Sequence, residues 1–387
     1  MTETPPISGN LDFPGVSDRM AERGHEQVVF VGDAGSGLRA IIAVHSTTLG
    51  PALGGVRFWH YASESEALFD ALRLSEAMTL KAAVAGLHQG GGKAVVMLPS
   101  PDAPHSDAML AALGRAIDEL GGRYLAAEDV GATPRDMDML ARETRWVTGV
   151  DPAAGGSGDP SAVTAVGVRA AMRAVVEALN GDPSLVGVRV AVQGAGHVGA
   201  NLVALLVEAG AHVVLGDVDE ARARVVAEAH DAQVVAAQEV LAVDCDILAP
   251  CALGAVLTAA SVEHLACRAV CGAANNQLAD RTIADLLVDR GVLYAPDYVA
   301  NAGGIINLAE EFAGYSRVRA LARAEGIGET VRRVLARARD EGVSPDRVAE
   351  AIARERIELE GTGPWRPGDP TAWTNGQPLL RLRPEAS

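Results

Sequence analysis

The chain has 387 residues, 49% of them hydrophobic, and a formal net charge of −17. That length and apolar content suit two domains, each with its own core. The acidic balance excludes nucleic-acid binding, which needs a basic face for phosphates, and no uninterrupted apolar run reaches the roughly 18 residues of a membrane span.

Residues 1–25 are polar and turn-rich and read as a loose arm. Glu3 and Pro5-Pro6 do not fit the charged-then-apolar pattern of a signal peptide. Residues 27–31 and 38–45 are apolar at strand length around the turn cluster Gly32-Asp-Ala-Gly-Ser-Gly37, which predicts a hairpin. Gly50-Pro-Ala-Leu-Gly-Gly-Val-Arg57 reads as a glycine-rich loop ending on a cation. Residues 63–79 have helical periodicity, with Glu64 and Glu66 in the first turn. Ala, Leu and Met carry helical character through residues 75–87. Gly90, Gly91 and Gly92 are then expected to end that helix and let the backbone approach a ligand.

Lys93 opens an apolar run, residues 94–98, that reads as a buried strand. Lys81 and Lys93 are thus aimed from two rigid elements, with little acid close by in sequence. A lysine in apolar surroundings beside a second cation has a lowered pKa, which suits proton chemistry or grip on a carboxylate. Two surface lysines flanking a turn are the plainer alternative. Residues 108–119 predict a helix and 124–127 a short strand running into Glu128-Asp129-Val130-Gly131. Thr133 then caps a helix with Pro134 at its first position.

Composition shifts at residues 149–161, taken as the domain junction, and a long helix follows over 164–179. The clearest local pattern comes next. A strand, 189–193, runs into Gly194-Ala195-Gly196-His197-Val198-Gly199, then a helix over 198–209 and a strand, 212–215, ending near Asp217 and Val218. A glycine motif between strand and helix, with an acid 21 residues past its second glycine, predicts a dinucleotide site. The helix N-terminus favours the pyrophosphate and Asp217 the ribose hydroxyls, so NAD is expected over NADP. His197 is expected to face cofactor or solvent, and Arg222 and Arg224 to lie past the contact.

Further short strands end at Pro250-Cys251-Ala252-Leu253-Gly254, at Asn275-Asn276-Gln277 and at Pro296-Asp297, as a doubly wound parallel sheet requires. Asn301-Ala-Gly303-Gly304 opens a helix, and helical pattern over residues 317–360 is expected to cross back to the first domain. The tail, 361–387, carries Trp365, Trp373 and five prolines. It is expected to be disordered, or an arm lying on a neighbouring subunit of a homo-oligomer. Cys267 and Cys271 have helical spacing; no metal site is completed, so buried free thiols in a reducing cytoplasm are expected. The fold class is therefore α/β: an N-terminal α/β domain, 1–150, and a Rossmann-type domain, 151–316, with a cleft between them.

Gly50-Pro-Ala-Leu-Gly-Gly-Val-Arg57, Ala77-Met-Thr-Leu-Lys81, Gly90-Gly-Gly-Lys93, Glu128-Asp-Val-Gly131, Gly272-Ala-Ala-Asn-Asn-Gln277, Tyr294-Ala-Pro-Asp297 and Asn301-Ala-Gly-Gly304 together closely resemble the glutamate/leucine/phenylalanine/valine dehydrogenase family. The resemblance spans roughly residues 25–355. It implies that an L-amino acid, NAD⁺ and water give a 2-oxo acid, ammonium and NADH. By analogy Lys81 grips the substrate carboxylate, Lys93 activates water and polarises the carbonyl, and Asp129 shuttles protons. Leu53, Gly54, Gly55, Ala127, Asn275 and Leu308 would line the substrate. Ser161, Thr164, Cys251, Ala252, Leu253, Asn275 and Asn301 would join the glycine motif around the cofactor.

The glutamate enzymes need an extra cation for the side-chain carboxylate, and none stands among the matched positions, which favours an apolar substrate. Ala127 resembles the branched-chain enzymes, whereas Leu80 and Leu308 resemble the phenylalanine enzymes. Leucine, valine and isoleucine are the preferred reading and phenylalanine the alternative. A catalytically silent NAD-binding regulator would have lost Lys93 or Asp129, and both are present. A 2-hydroxy acid dehydrogenase centres on a histidine–carboxylate pair, and none of the nine histidines sits in such a pattern.

Overall fold

The computed structural model describes residues 15–252 and 254–366. Among them, the strands form two sheets, one in each half of the chain. The first half opens with α1 (Val16–Arg23), so the expected loose arm is helical just before the sheet. Strands β1 (Gln27–Asp33) and β2 (Leu38–Ser46) are the expected antiparallel hairpin. The Asp33 carboxylate holds its turn by accepting the Gly35 and Ser36 N–H groups. β3 (Ala52–Trp59), α2 (Glu64–Val84), β4 (Gly90–Met97), α3 (Asp107–Glu119), β5 (Tyr124–Glu128) and α4 (Pro134–Glu143) complete this half. The sheet order is β1-β2-β4-β3-β5, with β3 parallel to both β4 and β5.

Two expectations fail here for one reason. Residues 52–59 are a buried strand rather than a loop, and Gly90–Gly92 lie inside β4 rather than ending a helix. These glycines serve close packing. A Cβ at Gly54 would sit 1.7 Å from the Gly92 carbonyl oxygen, and one at Gly91 would sit 2.1 Å from the Thr79 nitrogen on α2. Helix α2 is continuous, capped by Ser63 accepting the Glu66 N–H, and Gly86 in a left-handed conformation follows its end. At α4, Thr133 and Asp136 form the reciprocal cap expected from Thr133-Pro134.

After α5 (Ser161–Asn180) come β6 (Arg189–Gln193), α6 (His197–Glu208), β7 (His212–Gly216), α7 (Glu220–His230), β8 (Gln233–Val234), β9 (Cys245–Pro250), α8 (Ala259–Glu263), β10 (Cys267–Val270), α9 (Thr282–Asp289) and β11 (Leu293–Tyr294). Their sheet order, β11-β10-β9-β6-β7-β8, is parallel throughout and reverses direction between β6 and β9. Such a reversal opens a ligand crevice at the strands' carboxyl ends. Cys267 is a strand residue paired with Cys245 rather than helical. The four cysteines are free, and burial pushes each thiol up, Cys245 to about 12 and Cys267 to about 11.

The chain closes with α10 (Asp297–Ala300), α11 (Gly303–Ala309), α12 (Arg317–Glu325), α13 (Ile327–Glu341) and α14 (Pro345–Glu360). α12 and α13 stay on α5, and α14 packs on α2 of the first half. The start of the tail follows it back. Thr362 donates to the Thr48 carbonyl, the Trp365 N–H donates to Thr47 Oγ1, and Trp365 is buried. Trp373 and the rest of the tail lie outside the described residues. Among the described residues no helix is long and apolar enough to cross a membrane.

Candidate active site

The mixed sheet and α2 converge on one side. Lys93 comes from the middle of β4 and is 3% exposed. Asp129 follows the last residue of β5, and Gly55 on β3 lies beside both. A Cβ there would be 2.5 Å from Asp129 Cβ and 3.1 Å from Lys93 Nζ. Glycine at position 55 is therefore the gap in which the acid and the lysine meet. Lys93 Nζ is 2.7 Å from Asp129 Oδ2. Burial draws the Lys93 pKa down against the pull of Asp129. Burial pushes the Asp129 carboxyl up, but Lys93 and Arg57 outweigh it and hold it below its usual value.

Lys81, near the C-terminal end of α2, points across to the second half. Its ammonium donates to Asn301 Oδ1 at 2.7 Å and to Asn275 Oδ1 at 3.4 Å. Asn301 is itself held by donating to Asn275 Oδ1 and to the Ala273 carbonyl. Lys81 keeps some exposure to the cleft, yet removal from water draws its pKa down to about 8. Asp297 and Asp129 oppose that fall and Lys93 adds to it. Asp297 is 9% exposed and accepts the Gln277 N–H at 2.7 Å, which ties the Asn275–Gln277 loop to the start of α10.

Of the expected substrate-lining positions, Gly55 borders the Lys93–Asp129 pair and Asn275 meets Lys81. Leu53, Gly54 and Gly55 are buried on β3, and Ala127 on β5 is in register with Gly55. Leu308, on α11, accepts the Thr148 hydroxyl at its carbonyl, and its side chain lies over Gly149. Leu80 is buried in the core on α2.

The glycine motif, Cys251 and Ala252 meet at the sheet reversal. Gly194 has φ +105°, and its Cβ would meet Cys251 and Ala252. The Cys251 N–H donates to the Gln193 carbonyl, joining the two walls of the crevice. A Cβ on Gly199 would lie 2.0 Å from the Gly194 carbonyl oxygen, so helix and loop touch, whereas Gly196 has nothing within 4 Å. Gly196 starts α6 without a side-chain cap, leaving the first N–H groups for an anion. Asp217 follows the last residue of β7 and is oriented by the Ala195 and Asp219 N–H groups. These features fit a dinucleotide.

His197 and Val218 are exposed, Val198 packs on the core, and His197 Nδ1 faces Asp159 at 3.1 Å. Ser161 and Thr164 are buried in the first turn of α5. Leu253 lies outside the described residues. Contrary to expectation, Arg222 reaches back to 3.6 Å from Asp217 and 3.3 Å from Asp219. Among the described residues no group of three or more His, Cys, Asp or Glu is placed to hold a metal ion.

A family profile described as Glu/Leu/Phe/Val dehydrogenase, dimerisation domain, matches residues 25–146. One described as Glutamate/Leucine/Phenylalanine/Valine dehydrogenase matches residues 155–221 and 215–343. The chain belongs to this family. A leucine dehydrogenase of Thermoactinomyces intermedius is 48% identical over 344 residues, covering 89% of this chain and 94% of that one. A valine dehydrogenase of Streptomyces coelicolor is 48% identical over 337 residues, covering 86% and 92%. The crystal structure of an L-tryptophan dehydrogenase from Nostoc punctiforme superposes with a TM-score of 0.79 at 39% identity, covering 88% of this chain and 97% of that one.

Family membership accounts for the motifs, but three site residues escaped the sequence reading. Arg57 was legible only as a cation after glycines, Asp70 was not singled out, and Asp297 was legible only as an acid at a strand's end. Their partners are Asp129, Arg57 and the Gln277 loop, at separations of 72, 13 and 20 residues. Only the folded sheets reveal those pairings.

Proposed function

We propose that the protein catalyses the NAD-dependent, reversible oxidative deamination of branched-chain L-amino acids. The observation that carries this reading is the meeting of Lys81 with Asn301 and Asn275 across the cleft, beside the buried Lys93–Asp129 pair. Protonated Lys81 holds the substrate carboxylate. Asp129 takes a proton from the substrate ammonium, freeing the amine. NAD held at the β6–α6 crevice and Asp217 would supply the acceptor for the α-hydrogen, as hydride. Lys93 then deprotonates the water that adds to the imine carbon, and Asp129 returns a proton to the departing nitrogen. As the C–N bond breaks the adduct's hydroxyl proton passes to the leaving ammonia, and Lys93 releases its proton to solvent, so the products are the 2-oxo acid, ammonium, NADH and a proton. Burial lowers the Lys93 pKa, which eases the release and uptake of its proton.

NAD is favoured over NADP because the anchored Asp217 carboxylate accepts ribose hydroxyls and repels a 2′-phosphate. Arg222 does not reverse this, since its charge is already met by Asp217 and Asp219. The expected pocket positions Leu53, Ala127 and Leu308 offer no cation to a second carboxylate. The leucine and valine dehydrogenases at 48% identity support a branched aliphatic substrate. The name of the first family profile supports a homo-oligomer, and buried free thiols suit a reducing cytoplasm.

The test is the initial rate of reduced-cofactor formation across a panel of L-amino acids with NAD and with NADP. Leucine, valine and isoleucine with NAD are expected to lead. A preference for phenylalanine over every branched-chain substrate would overturn the substrate assignment. Equal kcat/KM with NADP would overturn the cofactor assignment.

A further inference from the structure

Asp129 lies one residue beyond β5, so the sheet does not fix its side chain. Both of its side-chain bonds go to the same oxygen. Oδ2 accepts Lys93 Nζ at 2.7 Å and Arg57 Nε at 2.8 Å. Arg57 is clamped at its other end, where Nη1 donates to Asp70 Oδ2 at 2.8 Å. Asp70 is held in turn by the Tyr61 hydroxyl at 2.8 Å and by Arg73 at 2.6 Å. The guanidinium is planar, so fixing Nη1 fixes the direction of the Nε–H. The arginine, the acid at its far end and Asp129 are all largely shielded, with side chains 14–23% exposed.

The geometry points to Arg57 as a positioning residue, whose guanidinium pins Asp129 Oδ2 and turns Oδ1 toward the substrate nitrogen. This rests on the reading of Asp129 as the proton shuttle. Lys93 alone is a poor guide for the carboxylate, because its ammonium is a point charge on a flexible stem and itself exchanges protons. Arg57 keeps its charge through the cycle and holds Asp129 when Lys93 is neutral.

The charged and titratable groups facing Asp129 are Lys93 on β4, Lys81 on α2, Arg57 on β3, and the Tyr61 and Tyr124 phenols, with Asp70 on α2 behind Arg57. Of the cations, only the arginine is permanently charged at working pH. Removing it takes away a charge that favours the Asp129 anion. The pH below which the shuttle is protonated and idle then rises.

The experiment compares wild type, Arg57→Met and Arg57→Lys in oxidative deamination, measuring kcat, KM and NADH affinity against pH. For Arg57→Met, kcat falls about 10- to 100-fold, while KM and NADH affinity stay within about threefold. The acid limb of its kcat profile moves to higher pH. Arg57→Lys keeps the charge but cannot span Asp129 and Asp70, so its acid limb returns to the wild-type position and kcat recovers only in part. An acid limb of Arg57→Met that coincides with wild type overturns the inference, whatever the loss of rate. If Arg57→Met does not fold, Arg57→Lys decides: wild-type kcat there overturns the inference, and a fall with an unmoved limb supports it. Asp129→Asn separates the two levels, because a fully active Asp129→Asn removes the shuttle reading itself.

Discussion

Gly55→Ala isolates the geometry of the acid–lysine pair. The added methyl would stand 2.5 Å from Asp129 Cβ, where ordinary contact begins near 3.4 Å. Asp129 must therefore retreat by about 0.9 Å, the shortfall between those two distances. The bonds from Lys93 and Arg57 to Oδ2, now 2.7 and 2.8 Å, would stretch past the useful range. A misplacement of about 1 Å in a catalytic group costs on the order of 100-fold in rate, or about 2.7 kcal/mol of barrier. Overpacking costs roughly 1–3 kcal/mol of stability, so melting must be recorded beside the rate. The assay is NADH formation at saturating L-leucine and NAD, with fluorescence titration of NADH to show that the cofactor site is intact. A folded Gly55→Ala enzyme with kcat within about threefold of wild type would refute the argument that Gly55 sets the position of Asp129.

Lys81→Ala should raise the KM for the 2-oxo acid by an amount equivalent to roughly 2–5 kcal/mol, since a desolvated carboxylate loses its partner; an unchanged KM removes that role. Because the Lys81 pKa is drawn down to about 8, its grip is complete below that pH and lost above it. KM in the wild type should therefore rise about tenfold per unit above pH 8, and a flat profile to pH 10 would count against the assignment. Gly196→Ala should leave the melting temperature unchanged, since nothing lies within 4 Å of the new methyl. It should still raise the NAD KM by about tenfold or more by obstructing the pyrophosphate, about 1.4 kcal/mol; wild-type NAD affinity would exclude that approach. Ala127→Gly should raise kcat/KM for phenylalanine relative to leucine by roughly 10- to 200-fold, the usual worth of one methyl in a pocket. No change in that ratio would take Ala127 out of the pocket.

What could be read from sequence was local. The β6–α6 glycine motif, the β1–β2 hairpin and the Thr133 cap each depend on residues a few positions apart, and each forms. β3 was lost because its glycines imitate a loop. They are there because the Gly92 carbonyl and the Lys93–Asp129 pair press against the strand, and no local pattern encodes that pressure. Lys81 and Lys93 were recognisable as a pair by their setting, but the contact of Lys81 with Asn301 spans 220 residues. Arg57 bonds Asp129 72 residues away, so its role emerges only when β3 and β5 lie side by side. Cys267 was misread because helical spacing also fits a short strand followed by a turn.

The two halves of the chain are joined twice. The first link leaves β5, where Val147 bridges Ala126, and enters α5 while Glu311 holds the Gly149 and Ser157 N–H groups. The second returns through α13, which lies on α5, into α14, which lies on α2. A rigid body tethered at one point can swivel about three axes, whereas two separated tethers leave it one, the line between them. Any opening of the cleft would then be a door's motion with a single coordinate. The span from Lys81 to Asn301, 2.7 Å between the polar atoms here, would report that angle, and a pair of probes placed across it would test whether one number describes the movement.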